Sequence, residues 1–490
     1  MKARGNRKAM GTRGRRMWPW LIGVLLLSWM AMGAWQRVKP LPETVGSAWS
    51  VRAVDEVRFL SDESWFDAGG ERHLDQAIFD EVLAMIGQAR RLVVLDMFLF
   101  NDFAGSSDGD GFRPLSAELT DALLAQKRRH PGLEAVVITD PLNTLYGGIE
   151  LDHLEALRRA GVAVVLTDLN RLRASNPLWS GVWHLGPRWL GNSARAGWLP
   201  NALGPGQVTL RSYLALLNFN ANHRKTLVVD RGEGWAGLVT SANPHDASSL
   251  HGNVALRFEG AAALDLLASE RAVASWSGIT LPGPAPPPRG PAEGSLHLQL
   301  LTEGAIRDAL LAAIDASGEG DRLDLAVFYL SHRGVIEALK RARQRGVEVR
   351  ALLDPNRDAF GLEKGGIPNR PVARELVASG IAVRWCATRG EQCHSKLLLR
   401  RPADGGEAEL ILGSANFTRR NLDDLNLETS VRLTGPADAG AIRDAEAFLE
   451  RRWESSPERT TSEPFATFDD ATAWQGLRYR IMEATGLSTF

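Results

Sequence analysis

The sequence predicts an α/β protein built from two copies of one αβα unit behind an N-terminal membrane helix, and three observations carry that prediction. An uncharged stretch, Met17 to Trp35, follows a basic leader. Beyond it, apolar strands and amphipathic helices run through the same order twice, on either side of a Pro-rich break. Each repeat contains a His-x-Lys strand followed by a Ser-Ala-Asn tripeptide: His223-Arg224-Lys225 with Ser241-Ala242-Asn243, and His394-Ser395-Lys396 with Ser414-Ala415-Asn416. Alternating apolar strands and helices of this length place helices on both faces of a sheet.

The elements follow in order along the chain. Residues 1–16 carry Lys2, Arg4, Arg7, Lys8, Arg13, Arg15 and Arg16 and no acid. Residues 17–35 are uncharged, about long enough to cross a bilayer, and carry tryptophans at both ends, where interfaces favour them. Only Arg37 and Lys39 follow closely, so the positive-inside rule leaves the N-terminus cytoplasmic and exports the body, to the periplasm in a Gram-negative cell. A cleaved signal peptide, with small residues Ala31, Gly33 and Ala34 near its end, is the competing reading. Both readings put the body outside the cytoplasm.

Residues 36–50, with Pro40 and Pro42, read as a linker. The first unit, 51–280, is expected to run through a helix from His73 to Arg90, a strand from Leu92 to Phe100, a helix ending in basic residues, a strand closing on Asp140-Pro141, and a helix and strand from Leu154 to Val165. Residues 281–294 hold the Pro-rich break, which is neither helix nor central strand. The second unit, 295–460, repeats the pattern with a helix from Ile306 to Ala316, strands Leu323 to Leu330 and Val349 to Asp354, and a helix and strand from Ala373 to Arg384. A tail, 461–490, completes the chain.

The repeats differ most before the histidines: Asp140 to His223 is 83 residues, Asp354 to His394 only 40. The added segment, about 171–215, interleaves Trp179, Trp183, Trp189 and Trp198 with Arg171, Arg173, Arg188 and Arg195. Such a composition suits a lipid interface, and it equally suits a flap packed over its own domain or a platform for stacking bases.

With 490 residues, 44% of them apolar, the chain has material for two to three domains, and a formal net charge of −1 argues against a dedicated nucleic-acid binder. Cys386 and Cys393 flank a short loop before His394; an exported protein permits a disulfide there, and two separate thiols remain the alternative. No cluster has the spacing of a metal site, and no cofactor is expected.

In both His-x-Lys strands the period of two puts His and Lys on one face. The paired motifs, the Ser-x-Asn tripeptides and the duplication resemble the phospholipase D superfamily, and the first motif, His-Arg-Lys followed by Val-Val-Asp230, resembles those of cardiolipin synthases. The resemblance covers most of residues 51–455 and implies two phospholipase D-like domains meeting at a pseudo-two-fold interface. Where the second motif should hold Asp the chain has Arg401, so the full signature is broken there; His394 and Lys396, the groups expected to do the chemistry, remain. Downstream, Leu425-Asn426-Leu427-Glu428 resembles the family's Asn-x-Glu, whereas the first half offers His251-Gly252-Asn253 and lacks the glutamate.

The resemblance implies a metal-independent phosphodiesterase or phosphatidyltransferase working through a phosphohistidine. One imidazole attacks phosphorus and the other acts as general acid. Lys225, Lys396, Asn243 and Asn416 would clamp the phosphate oxygens, with Ser241 and Ser414 supporting them as substrate-binding residues. Glu428 would orient one imidazole and Asp230 would support the first motif. His223 is the expected nucleophile and His394 the expected acid. The expected partners are a phospholipid, the membrane, and water or an alcohol as acceptor; an exported nuclease on the same fold is the alternative.

Overall fold

The computed structural model describes residues 13–103, 111–288, 294–359, 362–363, 365–488 and 490. Most of the basic leader, and residues 289–293 of the Pro-rich break, lie outside the described residues. The apolar segment lies within a single helix, Arg13–Val38, whose stretch Trp18–Val38 is long and apolar enough to cross a membrane.

The first half contributes strands β1 (Arg52–Ala53), β2 (Val57–Phe66), β3 (Arg72–Gln76), β4 (Leu92–Met97), β5 (Glu134–Thr139), β6 (Ala163–Leu166), a small hairpin of β7 (Leu199–Pro200) and β8 (Gln207–Val208), then β9 (Lys225–Arg231), β10 (Gly234–Thr240) and β11 (Asn253–Glu259). The second contributes β12 (His297–Thr302), β13 (Arg322–Val327), β14 (Glu348–Leu353), a hairpin of β15 (Asp358–Ala359) and β16 (Leu362–Glu363), then β17 (Ala382–Cys386), β18 (Lys396–Arg401), β19 (Ala408–Gly413), β20 (Thr429–Gly435) and β21 (Ser462–Pro464). One sheet runs β3-β2-β11-β10-β9-β4-β5-β6 and the other β1-β12-β20-β19-β18-β13-β14-β17-β21. The run from β2 to β6 in the first therefore recurs from β12 to β17 in the second. Directions match as well: pairing is antiparallel as far as β9–β4 and β18–β13, then parallel through β4–β5–β6 and β13–β14–β17. Two homologous α/β domains follow from this shared order.

Strand alternation sorts the core into layers. In β9, Val228 faces a core shared by both sheets, while Leu227 and Val229 face the first domain's outer layer with Phe79 and Ile86. In β18, Leu397 and Leu399 face the shared core and Leu398 the second outer layer. Helices Ala261–Trp276 and Gly440–Trp453 bury Leu266, Val273, Ile442 and Phe448 in the shared layer, locking the domains together.

Several expected boundaries move. The helix expected from His73 spans only Ile78–Gln88: Arg72–Gln76 instead pairs with Asp62–Phe66, and the Asp62 carboxylate accepts the N–H groups of Ala77 (2.9 Å) and Ile78 (3.0 Å), which starts the helix after the strand. Arg52 and Ala53, expected in the first unit, join the edge of the second sheet against β12. The expected tail supplies β21 to the opposite edge and buries Tyr479 and Phe490 in the second domain's core.

Candidate active site

The two His-x-Lys segments lead into β9 and β18, equivalent strands at the centres of the two sheets. Each histidine is tied to the opposite domain. The His223 N–H donates to the Leu427 carbonyl (2.9 Å), and Leu427 N–H donates back to Ala221 (3.0 Å). Reciprocally, His394 N–H donates to Gly252 (2.7 Å) and Gly252 N–H to Gln392 (2.9 Å). The Asp-Pro aspartates repeat the symmetry one residue upstream, where Asp140 accepts the Asn222 N–H (2.6 Å) and Asp354 accepts that of Cys393 (2.8 Å). Cys393 is joined to Cys386 as a disulfide, closing the loop ahead of His394.

This crossing delivers an orienting group from each domain to the other's imidazole. Glu428 meets His223 Nδ1 at 2.9 and 3.1 Å through its two oxygens, and it also accepts from Ser414 Oγ (2.5 Å) and from Asn421 Nδ2. At the matching point Asn253 Oδ1 meets His394 Nδ1 at 3.1 Å and accepts from Ser241 Oγ (3.0 Å). One histidine therefore rests on a carboxylate and the other on a neutral amide. The sequence had singled out Asn253 only as the place where a glutamate was missing.

The lysines stand beside their histidines, with Lys225 Nζ donating to the His223 carbonyl (2.7 Å) and Lys396 Nζ to that of His394 (2.5 Å). Each ammonium also faces a phenylalanine, Phe98 at 5.0 Å and Phe328 at 5.4 Å, and the same rings pack on His223 and His394. These two aromatic walls were expected only as apolar strand residues. Asn243 and Asn416 are both buried, and Asn416 Oδ1 has no hydrogen-bond partner among the described residues.

Burial dominates the electrostatics. It lowers His223 to about 4, against the pull of Glu428, and lowers Lys225 to about 7. His394 and Lys396 are likewise pushed well below their usual values, first by burial and then by neighbouring cations, Lys225 among them. Charges that depress one another across the interface mark a pocket short of negative charge, which an anionic phosphodiester would supply.

Two expected placements need correcting. Asp230 lies five residues beyond Lys225 along one strand, roughly 16 Å at ~3.3 Å per residue. It accepts the N–H groups of Arg90, Arg91 and Leu92 (3.1, 2.8 and 2.8 Å), which hold its pKa below the usual carboxylate range although burial opposes them. It braces the start of β4 and does not reach the histidines. Arg401 occupies the matching end of β18 and pairs with Glu446, while the bracing carboxylate has moved to Asp321, which accepts the N–H groups of Ala403 and Gly318. Loss of the second-motif aspartate therefore leaves the site untouched. The serines were expected among the substrate-binding residues, yet both hydroxyls are spent on the orienting groups and on backbone N–H groups of Val254 and Thr429.

Beneath the site lies a buried charge cluster that the sequence did not disclose. Arg224, fully buried, donates to Glu303 (3.0 Å) and Ser269 (2.9 Å) and lies 3.6 Å from Glu270. Glu303 also accepts the N–H of Glu428 (2.9 Å), so the cluster links the first motif to the orienting glutamate. His245 has both ring nitrogens engaged, by Ser248 and by the Phe103 carbonyl, and is structural.

Residues 310–453 match the family model "Cardiolipin synthase, PLD-like domain". The fold is shared with phosphatidylserine synthase from Haemophilus influenzae Rd KW20, at 10% identity over 90% of this chain and 96% of that one, with a TM-score of 0.56. Polyphosphate kinase from Porphyromonas gingivalis aligns at 15% identity over 88% of this chain with a TM-score of 0.47, and the chain spans about half of its length, 53%. The phospholipase D family member Nuc from Salmonella typhimurium matches 34% of this chain and 97% of its own at 23% identity and a TM-score of 0.25. No curated protein matches the sequence. Residues 310–453 thus match a phospholipase D-like family model, and the strand order repeated in the first domain, with its own His-x-Lys strand, makes the chain a two-domain protein that uses one such fold twice.

Proposed function

We propose that this protein is a membrane-anchored phosphodiesterase or phosphatidyltransferase acting on phospholipid headgroups through a phosphohistidine. The helix Arg13–Val38 serves as its anchor, with the N-terminus cytoplasmic and the catalytic body extracytoplasmic. The observation that carries the reading is the unequal support of the two imidazoles: Glu428 on His223 Nδ1, Asn253 on His394 Nδ1.

A carboxylate accepting Nδ1–H fixes the tautomer that leaves Nε2 free to attack, and it stabilises the positive charge that the ring acquires when it bonds to phosphorus. His223, nearly always neutral at pH 7, is thus the nucleophile. Its Nε2 forms the P–N bond as the P–O bond to the headgroup alcohol breaks, and His394 gives that alkoxide its proton. In the second step His394 takes a proton from water or an acceptor alcohol, whose oxygen attacks phosphorus and releases His223. The phosphodiester's own charge raises His394 and both lysines towards the protonated state once it is bound. Lys225, Lys396, Asn243 and Asn416 line the phosphate and offset charge developing on its oxygens. Asn253 supports hydrolysis and transfer alike, because it holds His394 in one tautomer without fixing its charge.

The test is to incubate detergent-solubilised protein, in EDTA, with phosphatidylglycerol and separately with single-stranded DNA. Phosphatidic acid reports hydrolysis, and cardiolipin reports transfer of the cardiolipin-synthase type. Cleaved DNA with unchanged lipid would replace the lipid reading by the nuclease one, and activity restored only by a divalent cation would overturn the metal-independent chemistry.

A further inference from the structure

The Arg-Trp insertion of the first domain is packed onto the anchor helix. Trp29 Nε1 donates to the Leu178 carbonyl at 2.7 Å. Glycines allow the approach: a Cβ on Gly33 would lie 2.9 Å from the Pro177 carbonyl oxygen, and one on Gly181 would lie 2.8 Å from that of Trp29. Further along, Ala174 N–H donates to Gln36 (2.9 Å), Arg173 Nε to the Lys39 carbonyl (3.0 Å) and Lys39 Nζ to Asn170 (2.5 Å). Small residues and a satisfied indole at a helix contact are the devices by which helices associate in lipid.

Depth follows from helix geometry. Trp29 precedes Val38 by nine residues, which is ~13 Å at ~1.5 Å per residue. The hydrocarbon core is ~30 Å thick. If Val38 marks the outer edge of a spanning helix, a segment touching Trp29 and Gly33 lies inside the outer leaflet.

The insertion's own surface agrees. Helix Pro177–Leu185 buries Ser180, Gly181 and Trp183 and turns Leu178, Val182 and Leu185 outward, apolar residues on its exposed face. Trp189, Leu190 and Trp198 continue this surface at 72%, 64% and 64% exposure. Between Asp168 and the motif histidine there is no acidic residue, whereas Arg171, Arg173, Arg188, Arg195 and Arg211 are all basic. Arg171 and Arg173 lie near Asp168 (3.5 Å) and Asp424 (3.9 Å), and Arg188, Arg195 and Arg211 have no carboxylate partner among the described residues; an apolar exposed face bordered by such guanidinium groups is complementary to acyl chains beneath anionic headgroups.

We infer that the insertion is a second membrane-embedded element, seated beside the anchor in the outer leaflet of an anionic bilayer. The inference rests on the anchor reading above and deepens it, because the anchor then orients the enzyme as well as tethering it. From the seat, Asn220 donates to the carbonyls of both Arg173 and Leu425 (2.7 Å each), tying the insertion to the two segments that carry His223 and Glu428.

The experiment places an environment-sensitive NBD probe on full-length protein at Leu190→Cys, or in a second variant Leu178→Cys, with Glu319→Cys in the second domain as the control. Cys386 and Cys393 stay unlabelled as a disulfide under non-reducing conditions. In phosphatidylglycerol vesicles both insertion probes should shift to the blue, brighten several-fold and be quenched by lipids brominated on the acyl chain, while the control does none of these. Insertion probes that match the control and are quenched by aqueous iodide would overturn the proposal. So would a blue shift without quenching by brominated lipid, which signals a second protein copy covering the face. Lipid turnover measured on the same vesicles is a separate readout: seated probes without turnover would refute the enzymatic reading alone.

Discussion

Glu428→Gln tests the asymmetry on which the assignment of the histidines depends. Every group approaching the Glu428 carboxylate is a donor: His223 Nδ1–H reaches both oxygens, Ser414 Oγ adds to Oε2 and Asn421 Nδ2 to Oε1. A glutamine must turn its NH₂ towards one of them. Towards His223, the amide makes Nδ1 an acceptor and moves the ring proton to Nε2, the atom that must attack phosphorus. Towards Asn421, two buried NH₂ groups oppose each other at a cost of about 1–3 kcal/mol. In either arrangement the carboxylate charge facing the developing imidazolium is lost. A hydrogen bond to a charged group contributes about 1.5–3 kcal/mol, and ~1.4 kcal/mol is tenfold in rate. The expected fall in kcat is therefore roughly ten- to 150-fold, with KM nearly unchanged because Glu428 touches the imidazole and not the substrate. Asn253→Ala removes only a neutral acceptor, worth about 0.5–1.5 kcal/mol, and should cost less. The assay is the initial rate of phosphatidylglycerol turnover, with circular dichroism to confirm folding. A folded Glu428→Gln enzyme within threefold of wild type, or an Asn253→Ala enzyme more impaired than it, would refute the argument.

Three further expectations follow from the site. With a phosphodiester carrying a p-nitrophenol leaving group, which departs without protonation, His394→Asn should still accumulate the phosphohistidine while His223→Asn forms none; trapping labelled enzyme by acid-free gel electrophoresis reads this, and the reverse pattern would exchange the two roles. Because burial lowers Lys225 to about 7 and also depresses Lys396, the site loses cationic charge as pH rises; phosphate or tungstate should bind best below about pH 7, weaken above it and take up protons on binding, as calorimetry in buffers of different ionisation enthalpy will show. Arg224→Met leaves Glu303 and Glu270 buried without their cation and should destabilise the protein by about 3–5 kcal/mol. Adding Glu303→Gln should recover part of that loss in thermal unfolding, and equal stability of wild type and Arg224→Met would show the cluster to be dispensable.

Local patterns were legible where short-range periodicity decides them. The alternation in His223–Asp230 and His394–Leu399, the Asp-Pro strand ends and the repeated helices all follow from side-chain direction within one element. The same rule applied further along the strand places Asp230 too far from His223, which motif spelling alone conceals. What stayed hidden depends on contacts between residues remote in sequence. Asn253 acquires its role only because His394 is carried to it across the interface, and Glu303 becomes part of the machinery only where the second domain meets Arg224. The edge strands β1 and β21 were missed for the same reason: pairing with segments remote in sequence leaves no local periodic trace, and Arg72–Gln76, polar apart from Leu74, has no apolar alternation to announce a strand.

The reciprocal backbone bonds between the halves, His223 to Leu427 and His394 to Gly252, have a bearing on turnover. Many enzymes whose sites lie between two domains admit and expel their ligands by swinging those domains apart. Here such a swing would strip each histidine of the group that sets its tautomer and would pull open a fully buried layer of aliphatic side chains. Among the described residues the chemical centre is cross-tied by those bonds rather than hinged. On the proposed reading, product and acceptor then pass through the rim of the site rather than through a gap opened between the two halves.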